Sequence, residues 1–176
     1  MNRKLKTKEL KRLEKDEFKK LKKFPIIVIL DNIRSLHNVG SIFRSCDALK
    51  VEKVLLCGLT ACPPHKEIHK TALGATESVE WSYFEDVTEA VRYCKRLEYQ
   101  IVPAEQAEDT VLLQDLNTKS QDKLAFVFGN EVFGVNQEVI SMSDFVLEIP
   151  QFGTKHSFNV SVSAGIVLWE AVKMRI

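Results

Sequence analysis

Short apolar runs rich in β-branched residues alternate with helical patterns through most of this chain of 176 residues. The first run, 26–30, reads Ile-Ile-Val-Ile-Leu, which is typical of a strand buried on both faces. Such strands, separated by helices, predict an α/β fold: a mostly parallel sheet with helices on both faces. The predicted strands are 26–30, 53–57, 79–82, 99–102, 123–128 and 145–149, and the predicted helices are 38–49, 66–73, 85–97, 136–141 and 159–174.

The sequence argues against several classes of protein. The longest apolar runs are far shorter than the roughly 20 residues of a membrane-spanning helix, so a membrane protein is not expected. The charged N-terminus leads into no apolar stretch of signal-peptide length, which predicts a cytoplasmic location. The hydrolase patterns HExxH and GxSxG do not occur in the sequence, so hydrolases have no direct support.

Positive charge is concentrated at the N-terminus. Residues 1–23 hold 11 Lys+Arg against 4 Asp+Glu, a net charge of +7, whereas residues 24–176 hold 14 against 20, a net charge of −6. We therefore divide the chain into a basic N-terminal helical arm, 1–23, and one domain, 24–176. The apolar residues of the arm recur close to one helical stripe, and its cations form either a solvated face or a nucleic-acid contact. These apolar residues are Leu5, Leu10, Leu13, Phe18 and Leu21.

The cysteines raise one alternative, a metal site. Cys57, Cys62, His65 and His69 form the pattern C-x4-C-x2-H-x3-H, whose side chains are ligands that zinc accepts. The pattern lacks the dozen or so residues that usually separate the Cys pair from the His pair of a zinc finger. Cys57 also ends an apolar run, where a buried, reduced thiol is the ordinary explanation. We therefore expect no metal.

Three polar loops follow predicted strands, and ligands of parallel sheets bind at the carboxyl ends of strands. The first loop, 31–44, enters a helix that Asn38 is suited to cap. The apolar side chains of that helix repeat at helical spacing, which directs Arg44 away from the core. The second loop, 128–136, contains two glycines but no phosphate-binding pattern. The third, 149–161, enters an apolar final helix with Ser157 or Asn159 as the candidate cap.

Together and in this order, the loops resemble the three signature motifs of the SpoU branch of the SPOUT methyltransferases. These enzymes methylate the ribose 2′-hydroxyl of RNA with S-adenosylmethionine. The resemblance covers residues 24–174, and the stretches that carry it are HNVGSIFR at 37–44, FGNEVFG at 128–134, and IP at 149–150 followed by SFNVS at 157–161. It implies an α/β trefoil-knot fold and a homodimer whose active site uses both subunits.

The resemblance also implies roles for individual residues. Arg44 would be the catalytic residue, acting either as a general base or as a cation. The side chains that would organise the site around it are Asn38, Glu131, Ser157 and Asn159. The residues that would contact S-adenosylmethionine, largely through the backbone, are Gly129, Ile149, Phe158 and Ala104. Phe158 stands where leucine is usual in the family.

The expected substrate is RNA, with tRNA preferred and the tRNA guanosine-18 enzymes as the most similar subgroup. Methylation of rRNA or of the tRNA wobble position is an alternative that keeps the chemistry. A catalytically silent RNA-binding dimer is an alternative of another class. Lys155 and His156 in the third loop are further candidates for RNA contact, although ordinary variation is the preferred explanation of them.

Overall fold

The computed structural model describes residues 2–6, 9–10 and 12–176 of the chain. In chain order, the helices and strands are α1 (Lys15–Lys20), β1 (Phe24–Asp31), α2 (Leu36–Ala48), β2 (Val51–Cys57), α3 (Lys66–Ala72), α4 (Ala75–Ser78), β3 (Glu80–Phe84), α5 (Val87–Arg96), β4 (Gln100–Pro103), β5 (Val111–Leu112), β6 (Leu124–Phe128), α6 (Gln137–Met142), β7 (Leu147–Glu148) and α7 (Val160–Lys173). Within these described ranges, no helix is both long enough and apolar enough to cross a membrane.

Five strands form one parallel sheet in the order β3-β2-β1-β6-β4. Successive residues of β1 point to opposite faces, as in any strand. Val28 and its alternate neighbours pack in a core that includes α2 and α7, whereas Ile27 and Ile29 pack in a second core that includes α5. The predicted parallel sheet with helices on both faces is confirmed.

The predicted strand at 145–149 differs most from the structure. Only Leu147–Glu148 is extended, and this strand pairs with β5 in a separate two-stranded sheet. Asp144, just before this short strand, is hydrogen-bonded to the edge strand β4. Its backbone N–H donates to the Ile101 carbonyl at 3.0 Å, and its carboxylate accepts from the Ile101 N–H at 2.7 Å. Leu147 also forms an isolated parallel bridge with Ala104, the residue that follows β4.

The start of α2 also corrects the sequence analysis. Ser35, not Asn38, caps the helix: its hydroxyl accepts the Asn38 backbone N–H at 3.3 Å. Because a cap lies just before the first turn, the helix begins two residues earlier than predicted. The Asn38 side chain is therefore not used as a cap and remains available to the site described below.

The arm is less helical than its apolar residues predict. Among its described residues, only Lys15–Lys20 forms an α-helix. Phe18 is buried, while Leu5 and Leu13 are about half exposed, at 52% and 53%. An ion pair between Lys15 and Glu77 joins α1 to α4. The helical segment in the described part of the arm is therefore short, because Phe18 is the one buried apolar side chain among those residues.

Candidate active site at the carboxyl ends of the strands

A cleft of about 1280 Å³ opens where the second and third loops meet the loop after β4. Six residues singled out from the sequence line it: Ala104, Gly129, Glu131, Ser157, Phe158 and Asn159. Three others do not, namely Asn38, Arg44 and Ile149. Ile149 instead packs, partly buried, against the larger hydrophobic core.

The Glu131 carboxylate joins the second loop to the first. Its two oxygens accept hydrogen bonds from the backbone N–H groups of Arg34 and Ser35, each at 3.1 Å. The Asn38 side chain donates a third hydrogen bond at 3.0 Å. Both loops are therefore held by one acidic side chain, at the position where the sequence indicated functional groups.

Asn38 extends this connection to the third loop. Its amide oxygen accepts a hydrogen bond from the Asn159 amide nitrogen at 3.2 Å. Asn159 in turn caps α7, because its oxygen accepts from the Ser161 backbone N–H at 2.9 Å. The two alternatives for this cap are thereby resolved in favour of Asn159 over Ser157. We call the connected side chains Glu131, Asn38 and Asn159 the three-loop network.

The environment of Glu131 favours its charged form. Partial burial alone would raise the pKa of this carboxyl. Hydrogen bonds from the backbone of Arg34, Glu131 itself and Ser35, and from the Asn38 side chain, outweigh burial and lower the pKa below its usual value. A carboxylate that already accepts several hydrogen bonds is suited to orienting its neighbours.

The second loop is a tight turn built around Gly129 and Gly134. A Cβ at Gly129 would lie 2.1 Å from the Gly134 carbonyl carbon and 2.2 Å from the Val135 nitrogen, so only glycine fits. Gly134 has a φ of 69°, in the left-handed region that favours glycine. The side chain of Asn130 connects this turn to the first loop by donating to the Asn32 carbonyl at 2.7 Å.

Glu105 is a structural link of the site that the sequence analysis missed. Its carboxylate accepts the Val135 backbone N–H at 3.0 Å, and its own N–H donates to the Leu147 carbonyl at 3.0 Å. The adjacent Gln106 donates to the His156 carbonyl at 2.8 Å. The loop after β4 thus ties the second loop to the third. No motif marks Glu105, and the only available signal was its position directly after a strand.

Asp31 is a second link that was not singled out. This residue is buried at the end of β1, where its carboxylate accepts from the Asn136 backbone N–H at 3.1 Å and from the Asn32 side chain at 2.7 Å. Burial raises the pKa of its carboxyl, although both hydrogen bonds oppose this effect. Asp31 therefore ties the end of the second loop, at Asn136, to the start of the first loop.

Arg44 lies apart from the cleft of its own chain. It is exposed on α2, six residues after Asn38 and therefore about 9 Å farther along the helix axis. None of the ion pairs formed by the described residues includes Arg44. The sequence correctly predicted that this side chain leaves the core, and the guanidinium faces solvent.

The zinc alternative has no support in the structure. Among the described residues, no group of three or more Cys, His, Asp or Glu side chains is arranged to hold a metal ion. Cys57 is fully buried at the end of β2, and burial raises the pKa of its thiol strongly. His65 caps α3 by accepting the Glu67 N–H at 3.2 Å.

Two related proteins are similar in sequence to most of this chain. A 23S rRNA (guanosine-2′-O-)-methyltransferase of Neisseria meningitidis is 31% identical over 161 residues, which are 92% of this chain and 63% of that protein. The tRNA (guanosine(18)-2′-O)-methyltransferase of Aquifex aeolicus is 33% identical over 174 residues, which are 96% of this chain and 77% of that protein. The chain thus spans less than two thirds of the first relative and about three quarters of the second.

Solved structures have the same fold. The TrmH/SpoU tRNA modifying enzyme of A. aeolicus superposes with a TM-score of 0.81 at 27% identity, covering 92% of this chain and 80% of that one. An AdoMet-bound rRNA methyltransferase of Sinorhizobium meliloti superposes with a TM-score of 0.78 at 25% identity, covering 89% and 59%. A family model described as the SpoU rRNA methylase family matches residues 25–169. The chain therefore belongs to the SpoU family, as its three loop motifs predicted.

Proposed function

We propose that this protein transfers a methyl group from S-adenosylmethionine to a ribose 2′-hydroxyl of RNA. The observation that carries the proposal is the three-loop network, in which Glu131, Asn38 and Asn159 join all three family motifs beside one large cleft. The names of the relatives, which are tRNA and rRNA 2′-O-methyltransferases, support the same reaction.

The cleft suits S-adenosylmethionine. Its volume of about 1280 Å³ exceeds the roughly 300–1,000 Å³ typical of small-molecule sites, so the cofactor leaves room for an RNA nucleotide. Gly129 and Ala104 present backbone groups there without large side chains, and Phe158, 42% exposed, offers an aromatic surface. A backbone contact from Ile149 stays a prediction. When bound, the cofactor supplies a methyl group that its sulfonium already activates.

The chief contribution of the protein to the reaction is to align the reacting groups. The 2′-oxygen must lie in line with the activated methyl group and lose its proton, and correct positioning alone contributes several kcal/mol to such reactions. The three-loop network fixes Asn38 and Asn159, while Ser157 offers a hydroxyl to the cleft. Arg44 acts as a cation that binds phosphate and stabilises the developing alkoxide, because a guanidinium keeps its proton in proteins. The alternative is a general base in a desolvated site.

A homodimer reconciles the exposed Arg44 with a catalytic role. Arg44 does not line the cleft of its own chain, so Arg44 of a second copy would complete the site. An apolar strip along α7, formed by Val162, Ile166 and Trp169, supports the same assembly. Val162 and Trp169 are 48% and 53% exposed, which is unusual for an otherwise apolar helix. The trefoil knot implied by the resemblance also stays a prediction.

The arm adds RNA affinity in this proposal. Its net charge of +7 favours contact with the phosphate backbone, and residues 24–176 then form the methyltransferase domain. We prefer tRNA as the substrate, because the guanosine-18 tRNA enzyme is the relative that this chain covers more completely. A cytoplasmic location remains a prediction that agrees with an RNA substrate.

Methyl transfer from labelled S-adenosylmethionine to unmodified tRNA and, separately, to rRNA tests the proposal. We expect a 2′-O-methylnucleoside in the mass spectrum of the digested tRNA, and we expect Arg44→Ala to abolish it. Undiminished single-turnover rates in Arg44→Ala would reject both roles of the arginine. Cofactor binding without methyl transfer to either RNA would favour the catalytically silent RNA-binding dimer. Methyl transfer to rRNA alone would mean that the substrate is rRNA and not tRNA.

A further inference from the structure

A second concavity, separate from the cleft, lies between α3, α4 and β3. Its volume is about 500 Å³, within the range of small-molecule sites, and it shares no lining residue with the cleft. Pro63, Pro64 and Trp81 supply its apolar surface. His65, Lys66 and His69 stand around it on α3 and at its start. We call this concavity the α3–β3 pocket.

The apolar part of the pocket contains a tryptophan that is neither fully buried nor fully exposed. Trp81 packs against the larger core and also lines the pocket. Ile68, which also borders the pocket, is fully buried in the same core. Nucleobases stack on aromatic side chains, and Trp81, which packs against the core and also borders the pocket, offers one here.

The surroundings of the pocket are basic. The His65 Nδ1 accepts the Glu67 N–H, so the other ring nitrogen carries a proton and is a donor. Lys66 and His69 are exposed next to it. The lining carboxylate, Glu77, is engaged in an ion pair with Lys15 of the arm. Lys66 and Lys15 together outweigh the single charge of Glu77, so the formal charge around the pocket is positive even with both histidines neutral.

The arm contributes to the same surface. Helix α1 contacts α4, which forms one wall of the pocket. The hydrogen bond from Lys15 holds the pKa of the Glu77 carboxyl below its usual range, and His69 and Lys19 contribute to this effect from nearby. The arm thus brings lysines to within electrostatic reach of the pocket.

We propose that the α3–β3 pocket binds an unstacked nucleobase of the RNA, stacked on Trp81, while the adjoining arm contacts the phosphates of that strand. The proposal rests on RNA as the partner in the proposed function. An aromatic floor with a cationic surround is complementary to a base attached to a phosphate backbone, and proteins commonly recognise single-stranded RNA in this way. The pocket would then hold the RNA at a second point, away from the reacting ribose.

The test uses the two tryptophans of the chain, Trp81 and Trp169, as reporters. Unmodified tRNA and a short single-stranded RNA are titrated into the full chain while tryptophan fluorescence is recorded. We expect quenching to persist in Trp169→Phe and to disappear in Trp81→Phe. We also expect Trp81→Leu to weaken RNA affinity by about 5- to 150-fold, which corresponds to about 1–3 kcal/mol, without changing cofactor affinity.

The outcomes separate this proposal from the proposed function. Equal quenching in Trp81→Phe and in the unmodified chain would overturn the proposal that the pocket binds a nucleobase. Unchanged RNA affinity in a folded Trp81→Leu variant would overturn it as well. Trp81 fluorescence that changes with protein concentration in the absence of RNA would also overturn it, as a contact between copies. Quenching of Trp81 without any methyl transfer would overturn the proposed reaction alone.

Discussion

The three-loop network and the arm are both polar, but they are held in place in different ways. Glu131 accepts three hydrogen bonds from the first loop alone, and Asn38 both donates and accepts. Among the described residues of the arm, the buried Phe18 and the ion pair between Lys15 and Glu77 attach it to the domain. The network therefore depends on geometry, whereas the arm depends on charge. Substitutions that keep the charge of a side chain but alter its shape should therefore impair the three-loop network and not the arm.

The strongest test of this difference is Gly129→Ala. The added Cβ would overlap backbone atoms at 2.1 and 2.2 Å, which a side-chain movement cannot relieve. We expect the free energy of unfolding to fall by about 1–3 kcal/mol or more, and cofactor affinity to be lost. Calorimetric unfolding and titration with S-adenosylmethionine measure both.

Gly153→Ala is the matched control. Gly153 lies in the third loop, and a Cβ there would meet no atom within 4 Å. We expect unfolding to change by no more than about 0.5 kcal/mol. If the two variants behaved alike, the second loop would not be the rigid turn described above.

Asn38→Ala should have the next largest effect, because Asn38 bridges Glu131 and Asn159. Its loss leaves the first and third loops unconnected at this point, and misplacement of reacting groups by about 1 Å can reduce rates about 10²-fold. We expect a fall of that size in the single-turnover rate with little change in cofactor affinity. Ser45→Ala, which removes a hydroxyl from the same helix, should retain the rate.

Asn38→Asp makes the same test sharper. It places a carboxylate where an amide now donates to Glu131 at 3.0 Å, so two like charges would face each other. We expect a rate below that of Asn38→Ala at neutral pH and partial recovery as the pH is lowered. No difference between the two variants would mean that the contact between Asn38 and Glu131 is unimportant for the reaction.

The sequence predicted the fold and the composition of the site better than it predicted the contacts of the site. Strand-helix alternation was sufficient for the sheet, because buried parallel strands have a distinct apolar pattern. The cap of α2 was misassigned since Ser35 and Asn38 both have capping side chains, and only the chain's path decides between them. Glu105 could not be found, because its partner Val135 is 30 residues away. Motif resemblance named the residues of the network but not their hydrogen bonds.

A smaller effect is expected in the pH dependence of folding stability. The folded chain lowers the pKa of Glu131, so this carboxylate stabilises the fold above its ordinary pKa of about 4.3. That stability is lost as the pH falls through the lower, folded value. Asp31 acts in the opposite direction: burial raises its pKa, so its contribution is fully present at low pH and is lost as the pH rises.

Glu131→Gln should therefore reduce the loss of stability in acid. Thermal unfolding of the variant and the unmodified chain, compared between about pH 3 and 6, measures the difference. We expect the melting temperature of the unmodified chain to fall more steeply over this range. Parallel curves would mean that the hydrogen bonds to Glu131 do not depend on its charge.

The smallest effect is expected from single cations of the arm, and it should appear in the salt dependence of binding rather than in stability. Lys19 is exposed on α1, so Lys19→Ala should leave unfolding unchanged. If its ammonium contacts a phosphate, the slope of log affinity against log salt should become shallower by about one, equally for every RNA that binds. Lys19→Arg, which keeps the charge, should retain the slope.

Deletion of residues 2–22 extends this test to the whole arm, but it also removes the buried Phe18. Its effect on RNA affinity must therefore be compared with that of replacing Phe18 alone by leucine, which keeps every cation. A large loss of affinity in the deletion and none in Phe18→Leu would assign binding to charge, as the exposed and loosely attached arm predicts. Equal losses would mean that the arm, like the three-loop network, acts through a defined geometry.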